Sequence, residues 1–201
     1  MARVALIPCA SYADADAAVT AALDRVGADA LFAPGEKILL KPNLLTHATA
    51  DSAVTTHPAV FAATAKYLKA HAPADLAYGD SPGHGQPAAA AEACGIAAAA
   101  AALGVRAADF SGGRTVPYPS GRTAKEFILA NEVPTFDAIV NICKMKTHML
   151  ERITGAQKNL FGCVFGLNKG ASHVKFPNAE RFACMLADLN LLLRPRLHVM
   201  D

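Results

Sequence analysis

The sequence predicts an α/β protein with a mostly parallel sheet flanked by helices, in a three-layer, Rossmann-like arrangement. Short apolar runs alternate with helical segments along the chain, which is the pattern of βαβ units. Hydrophobic residues make up 53% of the chain and charged residues 18%, so we expect strands that are covered on more than one side. A length of 201 residues predicts a single α/β domain over residues 1–201.

Six apolar runs have strand length, and four other segments have helical character. The strands are predicted at 3–8, 37–40, 75–78, 105–110, 138–143 and 197–200, and the helices at 14–25, 58–70, 87–103 and 179–193. Pro58 marks the first turn of the second helix, where a missing N–H costs nothing. Because Gly95 interrupts the alanine-rich third helix, we expect one broken helix or two short ones. Residues 111–123 contain three glycines and two prolines and predict an irregular loop, either a lid or a plain connection.

Polar residues follow four of the predicted strands, at the ends that converge in a parallel sheet, and the fourth of these strands, 197–200, ends on Asp201. Ligands bind at these ends in open α/β sheets. In extended backbone, Lys144, Lys146 and His148 would share one side, because side chains alternate with period two. Such a cluster needs a neutralising partner, and a phosphate or carboxylate ligand would supply it. The candidate ligand residues at these ends are Lys41, Asn43, Asp80, Ser81, Lys144, Lys146 and His148.

A basic, glycine-rich segment follows the predicted strand 138–143. Between residues 144 and 181 there are seven Lys or Arg and two Glu, a balance of +5 in a chain whose formal net charge is +2. Glycines let backbone N–H groups approach an anion closely. The segment lacks the Lys-Ser/Thr pair of a P-loop, which argues against an ATPase. The candidate ligand residues in this segment are Lys158, Asn159, Lys169 and His173.

Two other kinds of site are consistent with the residues. Gly83-His84-Gly85-Gln86-Pro87-Ala88 fits the G-x-G-x-x-A outline of a dinucleotide-binding loop, with Asp109 about twenty residues on, but it does not follow the first strand. Asp80, with His148 or His173 brought near it, is the best pair for a divalent ion or for proton transfer. The residues identify neither a catalytic nucleophile nor a metal, because Ser81 lacks the G-x-S-x-G context and no histidines have ligand spacing.

Five stretches of the chain carry a family resemblance. They are KILLKPNLL at 37–45, AVTTHP at 53–58, GDSPG at 79–83, KMKTH at 144–148 and KNLFG at 158–162. Together and in this order, they resemble the family catalogued as domain of unknown function 362, over nearly the whole chain. The resemblance implies that the family pattern continues past Asp201, so we expect the domain, and the sheet with it, to be incomplete at this C-terminus.

Members of that family are often fused to, or described as, ferredoxin-like iron–sulfur proteins with a cysteine-rich tail. The resemblance therefore implies a ferredoxin-like domain or partner and a redox function as an alternative. Any cluster would lie outside this chain, because the five cysteines are widely spaced and contain no C-x-x-C pair. We instead expect small buried residues of a reduced compartment at Cys9, Cys94, Cys143, Cys163 and Cys184.

The leading expectation is an uncharacterised domain that binds a small anionic molecule, with or without a divalent metal, at the carboxyl ends of the strands. A dinucleotide-binding oxidoreductase and an iron–sulfur-associated redox protein are the alternatives, and whether the protein is an enzyme stays open. Aromatic residues are only 6% and no nucleic-acid module is recognisable, which argues against nucleic acid as a partner. No apolar stretch reaches the roughly 18 residues of a membrane span, and the first residues lack the pattern of a secretory signal, so we expect no membrane partner and a cytoplasmic location.

Overall fold

The computed structural model describes residues 3–72, 74–83, 85–148, 152–166, 176 and 178–201. Its strands are β1 (Lys37–Lys41), β2 (Asp75–Tyr78), β3 (Arg106–Ala107), β4 (Gly113–Pro117), β5 (Glu126–Ala130), β6 (Ala138–Cys143), β7 (Lys146–His148), β8 (Arg152–Thr154) and β9 (Leu197–Met200). Its α-helices are α1 (Ala15–Val26), α2 (Pro58–His71), α3 (Pro87–Ala93), α4 (Ile96–Ala102), α5 (Ala156–Asn159) and α6 (Ala179–Leu193).

The central sheet has five parallel strands in the order β3-β2-β1-β6-β9. β1 and β6 are apolar along most of their length and almost wholly buried, as expected for strands covered on both faces. The chain builds outward from β1 to β2 and β3 on one side, and later adds β6 and β9 on the other. This arrangement confirms the predicted α/β fold class.

Helices and a hairpin cover the two faces of the sheet. One face carries α1 to α4, which pack on side chains such as Ile38, Leu40 and Val140. The other face carries α6, the β4–β5 hairpin and residues 160–164, which pack on Leu39 and Ile139. The alternation of inward residues along β1 therefore divides the core into two apolar layers, one on each side of the sheet.

Most predicted elements are confirmed within one or two residues. The bounds of β2, β6, β9 and α6 match the predicted ones, and the alanine-rich segment forms two short helices separated at Cys94 and Gly95. Gly95 has φ +80°, in the left-handed region that favours glycine, which is why the helix breaks there. His57 caps α2 by accepting the Ala59 N–H on Nδ1 at 3.2 Å, and Pro58 follows in the first turn.

The predicted strand at 3–8 is wrong. Residues 3–9 form no strand, and Val4 and Leu6 are 91% and 88% exposed. An apolar run becomes a strand only where it finds a ladder partner and a face to bury. Among the described residues, the edges of the sheet are instead β3 and β9.

The predicted strand at 105–110 shortens to two residues. Phe110 leaves the sheet, and its ring packs so closely on Gly79 that a Cβ built there would lie 2.1 Å from a ring carbon. Gly79 therefore makes room for the chain to turn away from the edge of the sheet.

The predicted irregular loop at 111–123 is also wrong, because it contains β4, which pairs antiparallel with β5. The buried Asp188 carboxylate on α6 accepts three N–H groups from the residues between these strands: Arg122 at 2.9 Å, Thr123 at 2.6 Å and Ala124 at 2.8 Å. Burial raises the pKa of Asp188, but these hydrogen bonds and the attraction of Lys125 outweigh it and lower the pKa. The hairpin is thus anchored to α6.

Candidate functional site

The carboxyl ends of β1, β2 and β6 form the rim at which the polar side chains meet. Strand order reverses between β1 and β6, since the earlier strands lie on the β2 side and the later ones on the β6 side. In open α/β sheets, such a reversal opens a crevice beyond the strand ends, and ligands bind there.

A buried ion pair lies at the base of this rim. Lys41, the last residue of β1, is 0% exposed, and its Nζ lies 2.7 Å from Asp80 Oδ1. The same Nζ donates to Pro42 O at 2.7 Å and to Asn159 Oδ1 at 3.4 Å, and Asp80 Oδ2 accepts the Leu44 N–H at 2.8 Å. Because ammonium and carboxylate neutralise each other away from water, this pair belongs to the folded framework.

Three asparagine side chains connect β1, β6 and α5. Asn43 Nδ2 donates to Asn159 Oδ1 at 2.9 Å, and Asn159 Nδ2 donates to Asn141 Oδ1 at 2.7 Å. Asn141, in the middle of the buried strand β6, donates to Ala156 O at 2.8 Å. Buried amides are tolerated when they are hydrogen-bonded in this way, so the chain of amides fixes the rim geometry.

Lys146 differs from Lys41 in the groups that surround its amine. Its half-buried side chain donates to Asn43 Oδ1 at 2.5 Å and to the Val54 carbonyl oxygen. In the described part of the chain, no carboxylate lies within ion-pair distance of its Nζ. Burial is the main cause that lowers the pKa of Lys146, to about 8. Repulsion from three nearby lysines adds to the shift, and attraction to Asp80 opposes it; the three lysines are Lys158, Lys41 and Lys144.

Lys144 is neutralised by a different aspartate. Its Nζ lies 3.0 Å from Asp201 Oδ1 and donates to the Tyr12 hydroxyl at 2.7 Å, and that hydroxyl donates to the same Asp201 oxygen at 2.7 Å. Burial lowers the pKa of Lys144, but these hydrogen bonds and the attraction to Asp201 outweigh it, so the pKa is raised. Lys144 therefore stays an ammonium ion.

Asp201 also connects this ion pair to α2. Its Oδ2 accepts the His57 N–H at 2.7 Å, which places the carboxylate at the positive end of the helix. The His57 and Tyr12 rings stack with centroids 3.6 Å apart and 3° between their planes. Burial lowers the pKa of His57, and the attraction to Asp201 does not offset this effect.

The close approach of Gly162 completes the base of the rim. A Cβ built on Gly162 would lie 1.7 Å from Asp80 Oδ1 and 2.8 Å from Lys41 Nζ. Its carbonyl oxygen accepts the Ser81 N–H at 2.9 Å. Only a residue without a side chain lets this backbone lie against the ion pair.

One buried hydroxyl on the hairpin β7–β8 lacks a hydrogen bond. Thr154 pairs with Lys146 across the two strands and is 5% exposed, yet its Oγ1 has no hydrogen-bond partner among the described residues. Residues opposite each other in an antiparallel pair point to the same face, so Thr154 and Lys146 share one side of the hairpin. A buried hydroxyl without a partner is unfavourable and calls for a cause, such as a ligand.

The remaining predicted residues have these positions. Ser81 is buried beside Asp80, and its Oγ accepts the Gly166 N–H at 3.3 Å. Lys158 lies half-buried on α5, near enough to act on the charge of Lys146, and His148 is half-buried on β7. Met145 and Thr147 point outward, so the expected alternation from Lys144 to His148 is present. Lys169, His173 and His84 lie outside the described residues.

Several residues of the rim have no counterpart in the sequence analysis. Asn141 had a visible signal, because a polar residue interrupts a run that is otherwise wholly apolar. Gly162 lies in the KNLFG stretch, but its contact with Asp80 joins segments far apart in the sequence. Thr154 faces Lys146 across a short hairpin, β7–β8, that the sequence did not predict. Tyr12 and His57 reach Asp201 across 189 and 144 residues, a proximity that local patterns do not carry.

The described residues line a small cleft beside the hairpin β7–β8 and a larger groove elsewhere. A cleft of about 270 Å³ is lined by residues of β8, α5 and α6, among them Ile153, Lys158 and Leu186. A larger groove of about 530 Å³ lies between α1 and α2, away from the rim. Within the described ranges, no three histidine, cysteine or acidic side chains are grouped as a metal site would require. None of the helices described here has the length and apolarity needed to cross a bilayer.

Comparison with known proteins gives two matches. The profile of the family described as "Domain of unknown function (DUF362)" matches residues 38–201. A curated protein of Synechocystis sp. (strain ATCC 27184 / PCC 6803 / Kazusa), described as a thylakoid-associated protein, is 34% identical over 170 residues, which cover 84% of this chain and 52% of that protein. The chain thus spans about half the length of this relative.

Proposed function

This chain belongs to the DUF362 family, and from that premise we propose that it binds a small anion, a carboxylate or a phosphate, at the carboxyl ends of β1, β2 and β6. The observation that carries the proposal is the set of charges around Lys146. Within the described residues, four lysines and two aspartates are close to one another, an excess of two positive charges: Lys41, Lys144, Lys146 and Lys158 against Asp80 and Asp201. Clustered ammonium groups favour an anion that neutralises them.

The lysines have different parts in this proposal. Lys41 and Lys144 are engaged by aspartates and hold the rim together. Lys146 is therefore the first charge partner of the ligand, and Lys158, whose charge acts on Lys146, is the second. Asn43, Asn159 and Ser81 orient the ligand, together with the hydroxyl of Thr154, which has no partner among the described residues, and His148 lies at the edge. Lys169 and His173 remain candidates from the sequence alone.

A divalent metal is not part of this proposal. Asp80 is the acidic side chain at the base of the rim, and both of its carboxylate oxygens already have partners, Lys41 Nζ and the Leu44 N–H. Divalent cations prefer several oxygen ligands, at least one of them a carboxylate that faces the site. The charge excess near Lys146 also repels a cation.

No specific observation favours either alternative function, the dinucleotide-binding oxidoreductase or the iron–sulfur-associated redox protein. The Gly83–Gly85 loop follows β2, whereas a dinucleotide fingerprint follows the first strand of the unit. Cys94, Cys143 and Cys163 are buried as expected, whereas the expectation is wrong for Cys9 and Cys184, which are exposed. The redox alternative rests on the family resemblance alone. The cytoplasmic location likewise stays a prediction, and association with thylakoids is a description of the relative.

The test is thermal unfolding with phosphate, acetate and pyruvate over a range of concentrations. An anion present at a hundred times its dissociation constant stabilises the protein by about 2.7 kcal/mol. We expect Lys146→Met to abolish most of this stabilisation. The matched control is Lys69→Met, which removes one lysine charge from the exposed end of α2.

The stabilisation should also depend on pH. Anion binding needs the ammonium form of Lys146, and its pKa of about 8 means that the ammonium is lost as the pH rises above that value. The anion-induced shift should therefore decline between about pH 8 and pH 10. A full response from Lys146→Met, or equal losses in the two variants, would remove Lys146 from the proposed site.

A further inference from the structure

We propose that Lys146 is the nucleophilic amine of this site and forms a Schiff base with the carbonyl group of a 2-oxo acid. The inference rests on the proposed anion site and narrows its ligands to carboxylates that carry an adjacent ketone or aldehyde. It assigns Lys146 a covalent role in addition to its charge.

The hydrogen-bond acceptors around Lys146 suit a neutral amine. A neutral amine has two N–H groups and one lone pair, whereas an ammonium ion has three N–H groups and no lone pair. Lys146 Nζ has two acceptors, Asn43 Oδ1 and Val54 O, and within the described residues it has no third. Both N–H groups of the amine are therefore satisfied, and the lone pair is left for reaction.

Lys41 provides the contrast within the same rim. Its Nζ has three acceptors, one of them a carboxylate oxygen at 2.7 Å, which matches the three N–H groups of an ammonium ion. Two lysines at one rim thus have environments suited to different protonation states. Lysines withdrawn from water beside other cations are the ones that act as nucleophiles in Schiff-base chemistry.

Electrostatics increase the neutral fraction of Lys146 near neutral pH, while the ammonium form, which attracts the anion, still predominates below about pH 8. The groups that act on it are Asp80, which attracts the proton, and Lys158, Lys41 and Lys144, which repel it. Burial, the largest effect, acts with the repulsion and lowers the pKa from 10.5 to about 8. At about pH 7.5, this change raises the neutral fraction on the order of a hundredfold.

The surroundings specify a carboxylate next to the carbonyl group. Lys158 supplies a positive charge near Lys146, and Thr154 supplies a buried hydroxyl on the same face of the hairpin. The positive charge of Lys158 attracts the carboxylate of a 2-oxo acid and so keeps the adjacent carbonyl carbon near the amine. A ketone without the carboxylate lacks this attraction.

The reaction balances without an oxidant or a reductant. The Lys146 nitrogen attacks the carbonyl carbon and forms a C–N bond, which gives a carbinolamine. The carbonyl oxygen then leaves as water with both hydrogens of the amine, and a C=N bond remains. Protonation of this imine gives one N–H, which can donate to Asn43 Oδ1.

The test uses pyruvate with cyanoborohydride, which reduces an imine to a stable secondary amine, followed by peptide mass spectrometry. We expect Lys146 to be labelled about tenfold or more faster than the exposed Lys69 at about pH 7.5. Lys146→Arg, which keeps the positive charge and cannot form the imine, should lose this labelling. If the wild-type protein carries the label on Lys146 no faster than on Lys69, the proposal is overturned.

Acetone, a ketone without a carboxylate, separates amine reactivity from recognition of the acid. We expect slower labelling of Lys146 by acetone than by pyruvate. Lys158→Met should slow the reaction with pyruvate more than the reaction with acetone, because losing this charge raises the pKa of Lys146 for both ketones and removes the attraction to the carboxylate for pyruvate alone. Equal rates for the two ketones would overturn the 2-oxo acid assignment. Stabilisation by phosphate and acetate without any Lys146 adduct would overturn the Schiff base and leave the anion site standing, whereas an adduct without such stabilisation would contradict the anion site itself.

Discussion

Lys41 and Lys146 lie at the same rim of the sheet and contact the same group of asparagines. They differ in the acceptors that their amines meet. Lys41 is fully buried and has a carboxylate and two further acceptors. Lys146 is half-buried and has two neutral acceptors and three lysines nearby. The comparison separates a lysine that stabilises the fold from one that the fold leaves available for chemistry.

The largest effect should come from removing the partner of Lys41. Asp80→Asn keeps the shape of the side chain and an oxygen for the Leu44 N–H, but leaves the Lys41 ammonium buried without a counter-charge. We expect a loss of about 3–5 kcal/mol in the free energy of unfolding, measured by urea denaturation. The double variant Lys41→Met/Asp80→Asn should recover much of this loss, because both charges are gone. A single variant as stable as the wild type would show that this pair is not structural.

A smaller effect should come from adding a methyl group against the same ion pair. In Gly162→Ala, the new Cβ would lie 1.7 Å from Asp80 Oδ1, so the pair or the backbone must move. We expect a cost of about 1–3 kcal/mol, again in urea. Gly83→Ala is the control on the neighbouring loop, since its Cβ would meet Leu45 O at 3.5 Å, an ordinary contact. Equal costs at the two glycines would mean that the close approach at Gly162 carries no special weight.

The smallest effect is the contribution of Lys146 to the pH dependence of the free energy of unfolding. The folded-state pKa of about 8 lies below the ordinary value of 10.5, so the unfolded chain binds more protons between these values. The contribution of Lys146 to stability should therefore rise with pH across this window, by about 1 kcal/mol after allowance for solvent screening. In Lys146→Met the rise should be missing. Unfolding in urea at pH 7, 8.5 and 10 tests this, and parallel curves for the two proteins would contradict the lowered pKa.

The sequence predicted the parallel sheet and the position of the rim because both depend on local patterns. Apolar runs such as 138–143 give strands, and the polar residues that follow them, such as Lys41 and Asp80, must lie at the carboxyl ends. Which lysines pair with an aspartate and which do not could not be predicted from the sequence. It depends on which acceptor each Nζ meets, and these acceptors come from segments far apart in the sequence, such as Asn43 for Lys146.

The errors in the predicted secondary structure have the same cause, since they too depend on contacts between distant segments. Residues 3–8 have the composition of a strand but find no ladder, whereas 113–117 contain glycine and proline and nevertheless pair with β5. The hairpin depends on Asp188, which lies more than sixty residues further along and supplies its carboxylate to the loop. The contact could not be predicted from the sequence, because a polar residue on an amphipathic helix is ordinarily exposed to solvent.

The hydrogen bond between Tyr12 and Asp201 has a consequence for folding kinetics. It joins residues separated by 189 positions, so forming it closes a loop of almost the whole chain. Contacts of such high sequence separation carry a large closure entropy, and chains rich in them fold slowly. We therefore expect the placement of Lys144, which these two residues hold, to be completed late in folding, after the sheet has assembled.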